Sequence, residues 1–248
     1  MNSTDAHCDT LTWDSNFFGL SIARARPSRL DVDSCCAMLE WCGAQHIDCL
    51  YFLADSDDVA THTVLEDAQF QRVDERVVFE RDVVSDAAGI LSDTRPAYPA
   101  DIPVLRAIAG TSHRDSRFYA DPHFDRRRCD ELYRVWIENS CRGQADHVIV
   151  AESNGSPAGY LTLHLTGAGT GLIGLLGVDA AHRRQGVGQR LLHGGLAWLA
   201  SQSVSRVSVV TQARNTASLG LYRHSGFRLV TVALWYHRWF DQRDRVGR

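Results

Sequence analysis

Apolar and polar positions change rhythm repeatedly along this chain, and the rhythm is clearest in its second half. Between Arg126 and Ser140, Leu132, Val135 and Trp136 fall at helical spacing among charges. HVIVAE (147–152) and GYLTLHLT (159–166) are apolar runs of strand length, joined by the turn SNGSPAG. GAGTG leads into LIGLLGV (172–178), a third strand. Helical spacing returns from Val187 to Ala200, with Val187, Leu191, Leu192 and Leu199 apolar. SRVSVVTQ predicts a strand, Asn215 to Ser225 a helix, and FRLVTVALWYHRW a last strand. Three strands in a meander pair antiparallel, and strands reached through helices arrive by crossovers. The expected class is α/β (α+β), a mixed, mainly antiparallel sheet flanked by helices.

The first part is sparser. LTWDS and FFGLSIARA read as strands, Asp31 to His46 as a helix and DCLYFLA as a strand. The following THTVLEDAQFQRVDERVVFERDV can be set beside SLGLYRHSGFRLVTVALWYHRW. Both give a short helix, an aromatic five residues after a Leu or Tyr, and a long strand. Phe70 then matches Phe227, and Leu65 stands where Tyr222 stands. A degenerate half-repeat and two unrelated helix–strand units are both open readings, since such units are common. SDTRPAYPADIP, residues 92 to 103, holds three of the six prolines and reads as a linker. The expected division is a small N-terminal α/β domain over 1–92, a linker over 93–100 and a larger domain over 101–248.

Composition narrows the chemistry. With 44% hydrophobic and 23% charged residues over 248 positions, the chain has the make-up of a soluble globular protein. No apolar run approaches the roughly 20 residues that span a bilayer, and MNSTDAHCDTLTW has neither the basic nor the apolar region of a signal peptide. Seven cysteines without CxxC or CxxH spacing read as reduced thiols, which places the protein in the cytoplasm without a metal. A net charge of −4 argues against nucleic acid as a partner. All 26 basic residues are arginine, so a phosphate-loop lysine and a Schiff-base lysine are both excluded.

One segment has the character of an anion site. In LLGVDAAHRRQGVGQRLL (175–192) a strand ends at Val178, and Arg183, Arg184, Gln185, Gly186, Val187 and Gly188 lead into a helix. Gly186 and Gly188 permit a tight turn and leave the first-turn N–H groups uncovered. Those orphan donors and the positive helix end suit a diphosphate. A glycine-softened helix start with two solvated arginines is the plainer alternative. GTGLIG also fits GxGxxG, but the strand-like LLGV follows it where a dinucleotide fingerprint requires a helix, so a hairpin turn is the better reading. Further on, Asn215 can cap a helix, and Tyr222 lies two helical turns later on the same face. Gly226 suits the helix end.

The RRQGVG loop after Val178 and NxxSxxLYxxxGF, in this order and at this separation, resemble the GNAT (Gcn5-related) N-acetyltransferase superfamily over about residues 100 to 240. Ala180 departs from the Pro often found there and bears on loop stiffness. The resemblance implies a GNAT fold, preceded here by a smaller, degenerate GNAT-like domain, and acetyl-CoA as co-substrate. It implies that acetyl-CoA lies along Leu176, Gly177 and Val178, with its pyrophosphate on the Arg183–Gly188 N–H groups. The Leu176 N–H would meet the thioester oxyanion, Asn215 would hold the cofactor, Tyr222 would face the sulfur as general acid, and Arg228 is a weaker cofactor contact.

The acceptor must be read elsewhere. TWDSNFFG (12–19) and SHRDSRFYADPHF (112–124) crowd aromatics and charges together, as a pocket lining or as ordinary core and loop. Together they look like the TDP-fucosamine acetyltransferases and related nucleotide-amino-sugar N-acetyltransferases, which implies a nucleotide amino sugar as acceptor. Asp14, His113, Asp115 and Asp121 are candidate bases, with none preferred. A GNAT acting on protein N-termini, polyamines or another small amine is the alternative, mildly favoured by the acidic stripe Asp55, Asp57, Asp58, Glu66 and Asp67. A non-catalytic CoA-binding module is a third reading, opposed by the intact Asn215 and Tyr222. The aromatic strand with Trp235, Tyr236, Trp239 and Phe240 serves either a homodimer interface or the core.

Overall fold

A computed structural model describes residues 8–83 and 94–240. The chain divides into two compact units, one running to Arg76 and resuming at Val232, the other being Val77–Thr231. The division falls inside two long strands, β4 (Gln71–Asp82) and β10 (Arg228–Trp239).

In the first unit, β1 (Cys8–Thr10), β2 (Ile22–Ala25), β3 (Cys49–Asp55) and β10 neighbour one another in that order. β2 and β3 are parallel, and β10 runs antiparallel to β3 with Tyr236 opposite Phe52. Helices α2 (Val32–Ala44) and α3 (Val59–Asp67) supply Met38, Cys42 and Leu65 to a core that includes Phe52, Phe70 and Tyr236. Tyr236 of the aromatic strand is thus a core residue. Asp31 and Asp58 cap the two helices, accepting from the Ser34 and Thr61 amides at 2.8 and 3.2 Å.

The strands expected over LTWDS and the start of FFGLSIARA are corrected. Thr12–Phe18 is a helix, α1. Aromatic residues favour strands, but here Trp13 and Phe17 stack at 5.1 Å across one helical turn. Gly19 ends the helix at φ 70°, its N–H donating to the Ser15 carbonyl at 2.9 Å.

The second unit is built on strands in the order β4, β9 (Arg206–Gln212), β8 (Thr170–Val178), β7 (Ser156–Gly167), β6 (His147–Ser153) and β5 (Thr94–Pro96). The β5–β6–β7–β8 pairs are antiparallel and β8–β9 is parallel, so the sheet is mixed and mainly antiparallel as the pattern predicts. Gly169 turns between β7 and β8 at φ 72°, which is the hairpin expected of the GTGLIG stretch. Of the stretch read as a linker, Thr94–Pro96 pairs with β6 and Pro99–Asp101 is a short 3-10 turn. Arg95 pins this turn, bonding Asp101 at 2.7 Å and Glu152 at 2.8 Å.

Helix α7 (Val187–Ser201) lays Val187, Leu191, Leu192, Leu196 and Leu199 against Leu161, Leu163, Ile173, Val207 and Val209. Burying each of these side chains contributes about 1.5–3 kcal/mol. The helix approaches so closely that a Cβ on Gly195 would lie 2.4 Å from Leu161. The rest of the unit comprises α4 (Ile102–Ser112), α5 (Arg117–Ala120), α6 (Arg126–Asn139) and α8 (Thr216–His224). α4 packs on α6, β7 and β8. No helix among the described residues is long and apolar enough to cross a membrane.

Candidate active site

Strand β8 is held on one side along its length and on the other only at its start. Its parallel pairing with β9 runs from Thr170–Arg206 to Ile173–Val209 and ends there, while β8 continues to Val178. Its pairing with β7 persists to Gly159–Val178, with an extra residue in β8 between Leu161–Leu176 and Leu163–Ile173. In this bulge the Leu175 N–H donates to the Thr162 hydroxyl at 2.7 Å. Past the end of the strand, the Asp179 N–H donates to the Ala158 carbonyl at 2.9 Å. Both donors point toward β7. Strand alternation therefore directs the Leu176 and Val178 N–H groups to the opposite edge, where pairing with β9 has stopped. An extended ligand carrying amides could pair there as a strand does.

The loop after β8 delivers the chain to a helix start. Asp179 accepts from the Ala181 amide at 2.8 Å. The backbone then passes through Arg184 at φ 59° and Gly186 at φ 78° before α7 begins. The first intrahelical bond is Arg190 N–H to Gly186 C=O at 3.0 Å. The Val187, Gly188 and Gln189 N–H groups precede it and are the helix's orphan donors. Arg183 reaches back to the Val178 carbonyl at 3.4 Å, and the Gln185 amide to the Ala181 carbonyl at 3.0 Å. Arg184 is exposed.

Asn215 is the N-cap of α8, its carbonyl oxygen accepting from the Ser218 N–H at 3.0 Å. Its amide NH2 is the group left to address a ligand. Tyr222 lies seven residues on, about 10 Å along the axis. Its ring is buried beside Phe79 and Phe227, with centroids 6.1 and 5.6 Å away. Burial holds the phenol well above the ordinary tyrosine value, so it stays protonated. No protein group among the described residues hydrogen-bonds to its hydroxyl. The helix ends with Phe227 N–H on Tyr222 C=O at 3.0 Å, after Gly226 at φ 79°. In the first unit Phe70 N–H meets Leu65 C=O at 2.9 Å, after Gln69 at φ 62°. The two turns are built alike, with a leucine where the second unit has the phenol.

Arg228 pairs with Asp82 at 3.3 Å, and Arg206 reaches the same carboxylate at 3.4 Å. Arg228 also lines an open cavity of about 500 Å³ with Arg81, Asp82, His193 and His224. His193 lies on α7, between one and two turns beyond Gly188, so this cavity and the orphan N–H groups share one helix.

The strands read from the sequence omitted what faces them. Helix α4 was hidden behind the proline-rich stretch, and it brings Ser112 to the Val178 carbonyl at 3.4 Å. It also carries His113, whose Nε2 meets the Tyr160 hydroxyl at 2.8 Å. Tyr160 was legible only as a strand residue; its pairing with Gly177 depends on register, which only the fold reveals. Among the other candidate bases, Asp121 is buried and engaged with the His123 ring at 2.9 Å. Groups of three or more His, Cys, Asp or Glu that could hold a metal are absent among the described residues.

A family model described as the acetyltransferase (GNAT) family matches residues 112–227. The chain is 30% identical over 238 residues to dTDP-fucosamine acetyltransferase of Escherichia coli O6:H1, covering 94% of this chain and 98% of that one. It is 28% identical over 144 residues to the spore coat polysaccharide biosynthesis protein SpsD of Bacillus subtilis, covering 58% of this chain and 50% of that one. Among solved structures, a GCN5-related N-acetyltransferase from Sphaerobacter thermophilus matches with a TM-score of 0.65 at 15% identity, over 94% of this chain and 76% of that one.

Proposed function

The chain belongs to the GNAT acetyltransferase family, and on that premise we propose that it transfers the acetyl group of acetyl-CoA to the amine of a nucleotide-linked amino-deoxysugar. The observation that carries the reading is the end of β8–β9 pairing at Ile173–Val209, five residues before β8 itself ends. In this reading the Leu176 and Val178 edge takes the amide-bearing arm of the cofactor along Gly177. The diphosphate lies on the Val187, Gly188 and Gln189 N–H groups, and Arg183, Arg184 and Gln185 flank it on the loop that Gly186 turns. The amide of Asn215 steadies the arm. Acetyl-CoA supplies an activated acyl thioester. Arg81 and Arg228 line a cavity with His193, His224 and the Asp82 carboxylate that pairs with Arg228, and the two guanidiniums are candidates for a further anionic part of the cofactor.

Each residue then has a defined task. A neutral amine attacks the thioester carbonyl, and the Leu176 N–H meets the oxygen on which charge develops. Sulfur leaves as a thiolate while the new amide nitrogen loses its proton to water. Full proton transfer from an ordinary tyrosine, pKa about 10, to a thiolate of pKa about 8.5 is uphill by roughly 2 kcal/mol. Burial raises the Tyr222 phenol further, so transfer to sulfur is less favourable still. Tyr222 therefore acts as a hydrogen-bonding acid to sulfur, and water supplies the final proton.

Similarity to a dTDP-fucosamine acetyltransferase along 94% of the chain supports the amino sugar as acceptor, because it runs through both units. A thiol-release assay with acetyl-CoA across TDP-amino sugars, polyamines and peptides tests it. Turnover with the sugars is expected. Turnover confined to peptides or polyamines removes the sugar assignment, and acetyl-CoA binding without any turnover removes catalysis.

A further inference from the structure

Two polar side chains beside β8 have no part in the chemistry above. Tyr160 is fully buried, and its ring lies against Gly177, where a Cβ would come within 2.6 Å of the ring and 2.8 Å of the hydroxyl. His113 caps the C-terminus of α4, next to the Ser112 that touches the Val178 carbonyl. Its ring stacks on Tyr133 with centroids 4.5 Å apart, and its Nε2 meets the Tyr160 hydroxyl at 2.8 Å. The imidazole is clamped on one face and at one nitrogen. Hydrophobic residues of similar shape would fill this space without a polar pair.

The proton assignment follows from the partners. Burial holds the Tyr160 phenol well above its ordinary value, so it keeps its proton. A buried O–H requires an acceptor, and the His113 Nε2 lies 2.8 Å from it. Tyr160 therefore donates to Nε2. Burial and the nearby Arg183 charge push the imidazole down to about 4, so it is neutral and its single proton sits on Nδ1. Tyr160 is fully buried and holds Nε2, and His113 is half-buried, so Nδ1–H is the polar group of the ring that remains for a ligand.

Resting on the acetyl-transfer reading, we propose that His113 selects the acceptor: its Nδ1–H donates a hydrogen bond to an uncharged oxygen, a hydroxyl or ether, beside the amine to be acetylated. Tyr160 is the positioning residue that fixes the tautomer. An N–H donor cannot accept from an ammonium, and donation to the neutral amine would occupy the lone pair that must attack. An oxygen neighbouring the amine is the partner that leaves the nucleophile free. The substrate class is thereby an amino alcohol and not a simple alkylamine.

The test compares kcat/KM for two acceptors, a TDP-amino-deoxysugar with a hydroxyl beside its amine and the same sugar with that hydroxyl replaced by hydrogen. The wild type is expected to favour the first by roughly 10- to 100-fold, because the analogue lacking the hydroxyl leaves the Nδ1–H without a partner. His113→Phe brings the ratio to near one, mainly through KM. His113→Asn, whose amide can stand near the Nδ1 position, retains part of the preference. Tyr160→Phe keeps the ring's packing and falls between them, with the acetyl-CoA Kd unchanged in all variants. A ratio that stays at the wild-type value in His113→Phe, or equal losses on both acceptors, overturns the assignment while the acetyl-transfer reading stands. A wild type that acetylates no amine brings down both.

Discussion

The hydroxyl of Thr162 accepts the backbone N–H of Leu175 at 2.7 Å and thereby holds the bulge that sets the register of β8 beyond it. Thr162 is fully buried. Thr162→Val keeps the shape and leaves the Leu175 N–H without an acceptor, which costs about 1–3 kcal/mol. The thermal midpoint should drop by several degrees and the acetyl-CoA Kd should rise, because the Leu176 and Val178 amides depend on that register. Thr162→Ser should restore both. Calorimetry and titration of acetyl-CoA check this; a Val variant with wild-type values means that the bulge is held by something else.

Two glycines near the site are required for different reasons. At Gly177 a Cβ would meet the Tyr160 ring at 2.6 Å, so Gly177→Ala should destabilise by roughly 1–3 kcal/mol through overpacking. Truncating the ring in Gly177→Ala/Tyr160→Ala should recover part of that, measured as a coupling in a double-mutant cycle. At Gly186 space is open but φ is 78°, so Gly186→Ala meets only a backbone cost of about 1–2 kcal/mol. Its larger effect should be on acetyl-CoA, with Kd rising about tenfold as the turn into α7 shifts. Costs for Gly177→Ala that do not change when Tyr160 is truncated would contradict the packing account.

Much of this was legible in the residues and some was not. The core of the second unit reads directly because apolar periodicity and strand length agree there, as Val187, Leu191 and Leu199 on α7 illustrate. The loop from Arg183 to Gly188 reads because its glycines have few other uses. Three features escaped for physical reasons. Trp13 and Phe17 carry strand propensity, yet stack across a helical turn closed by Gly19. Helix α4 lies behind Pro96, Pro99 and Pro103, which read as a linker although Pro is well tolerated in the first turn of a helix. The pairing of His113, Tyr160 and Gly177 joins positions 47 and 17 residues apart, and only strand register brings them together.

Acid should weaken the fold partly through His113. Its folded value lies near 4 and its ordinary value at 6.5, so between these limits the unfolded chain binds the extra proton. Stability from this group is complete above about pH 6.5 and declines as pH falls toward 4. The upper bound is about 3 kcal/mol, from 1.36 kcal/mol per pKa unit. His113→Asn removes this titration, so urea midpoints of wild type and variant should converge between pH 7 and pH 4.5. A constant difference across that range counts against an imidazole that stays neutral in the folded protein.

The pH profile of turnover should lack an early basic limb. Burial keeps the Tyr222 phenol protonated past its ordinary range, so the acid form persists through pH 10. kcat should rise as the acceptor amine deprotonates and then level off. A decline centred below pH 10 that disappears in Tyr222→Phe would show instead that the phenol ionises in the working range.

The most direct test of the account is acetyl transfer to a TDP-amino-deoxysugar by the wild type and by Tyr222→Phe, read as thiol release beside the acetyl-CoA Kd of each. The phenyl ring retains the packing on Phe79 and Phe227. The account predicts turnover by the wild type, a loss of about 100-fold or more in kcat for the variant, and equal affinity for acetyl-CoA. Near-wild-type kcat in the variant, or no transfer to the sugar by the wild type, would contradict it.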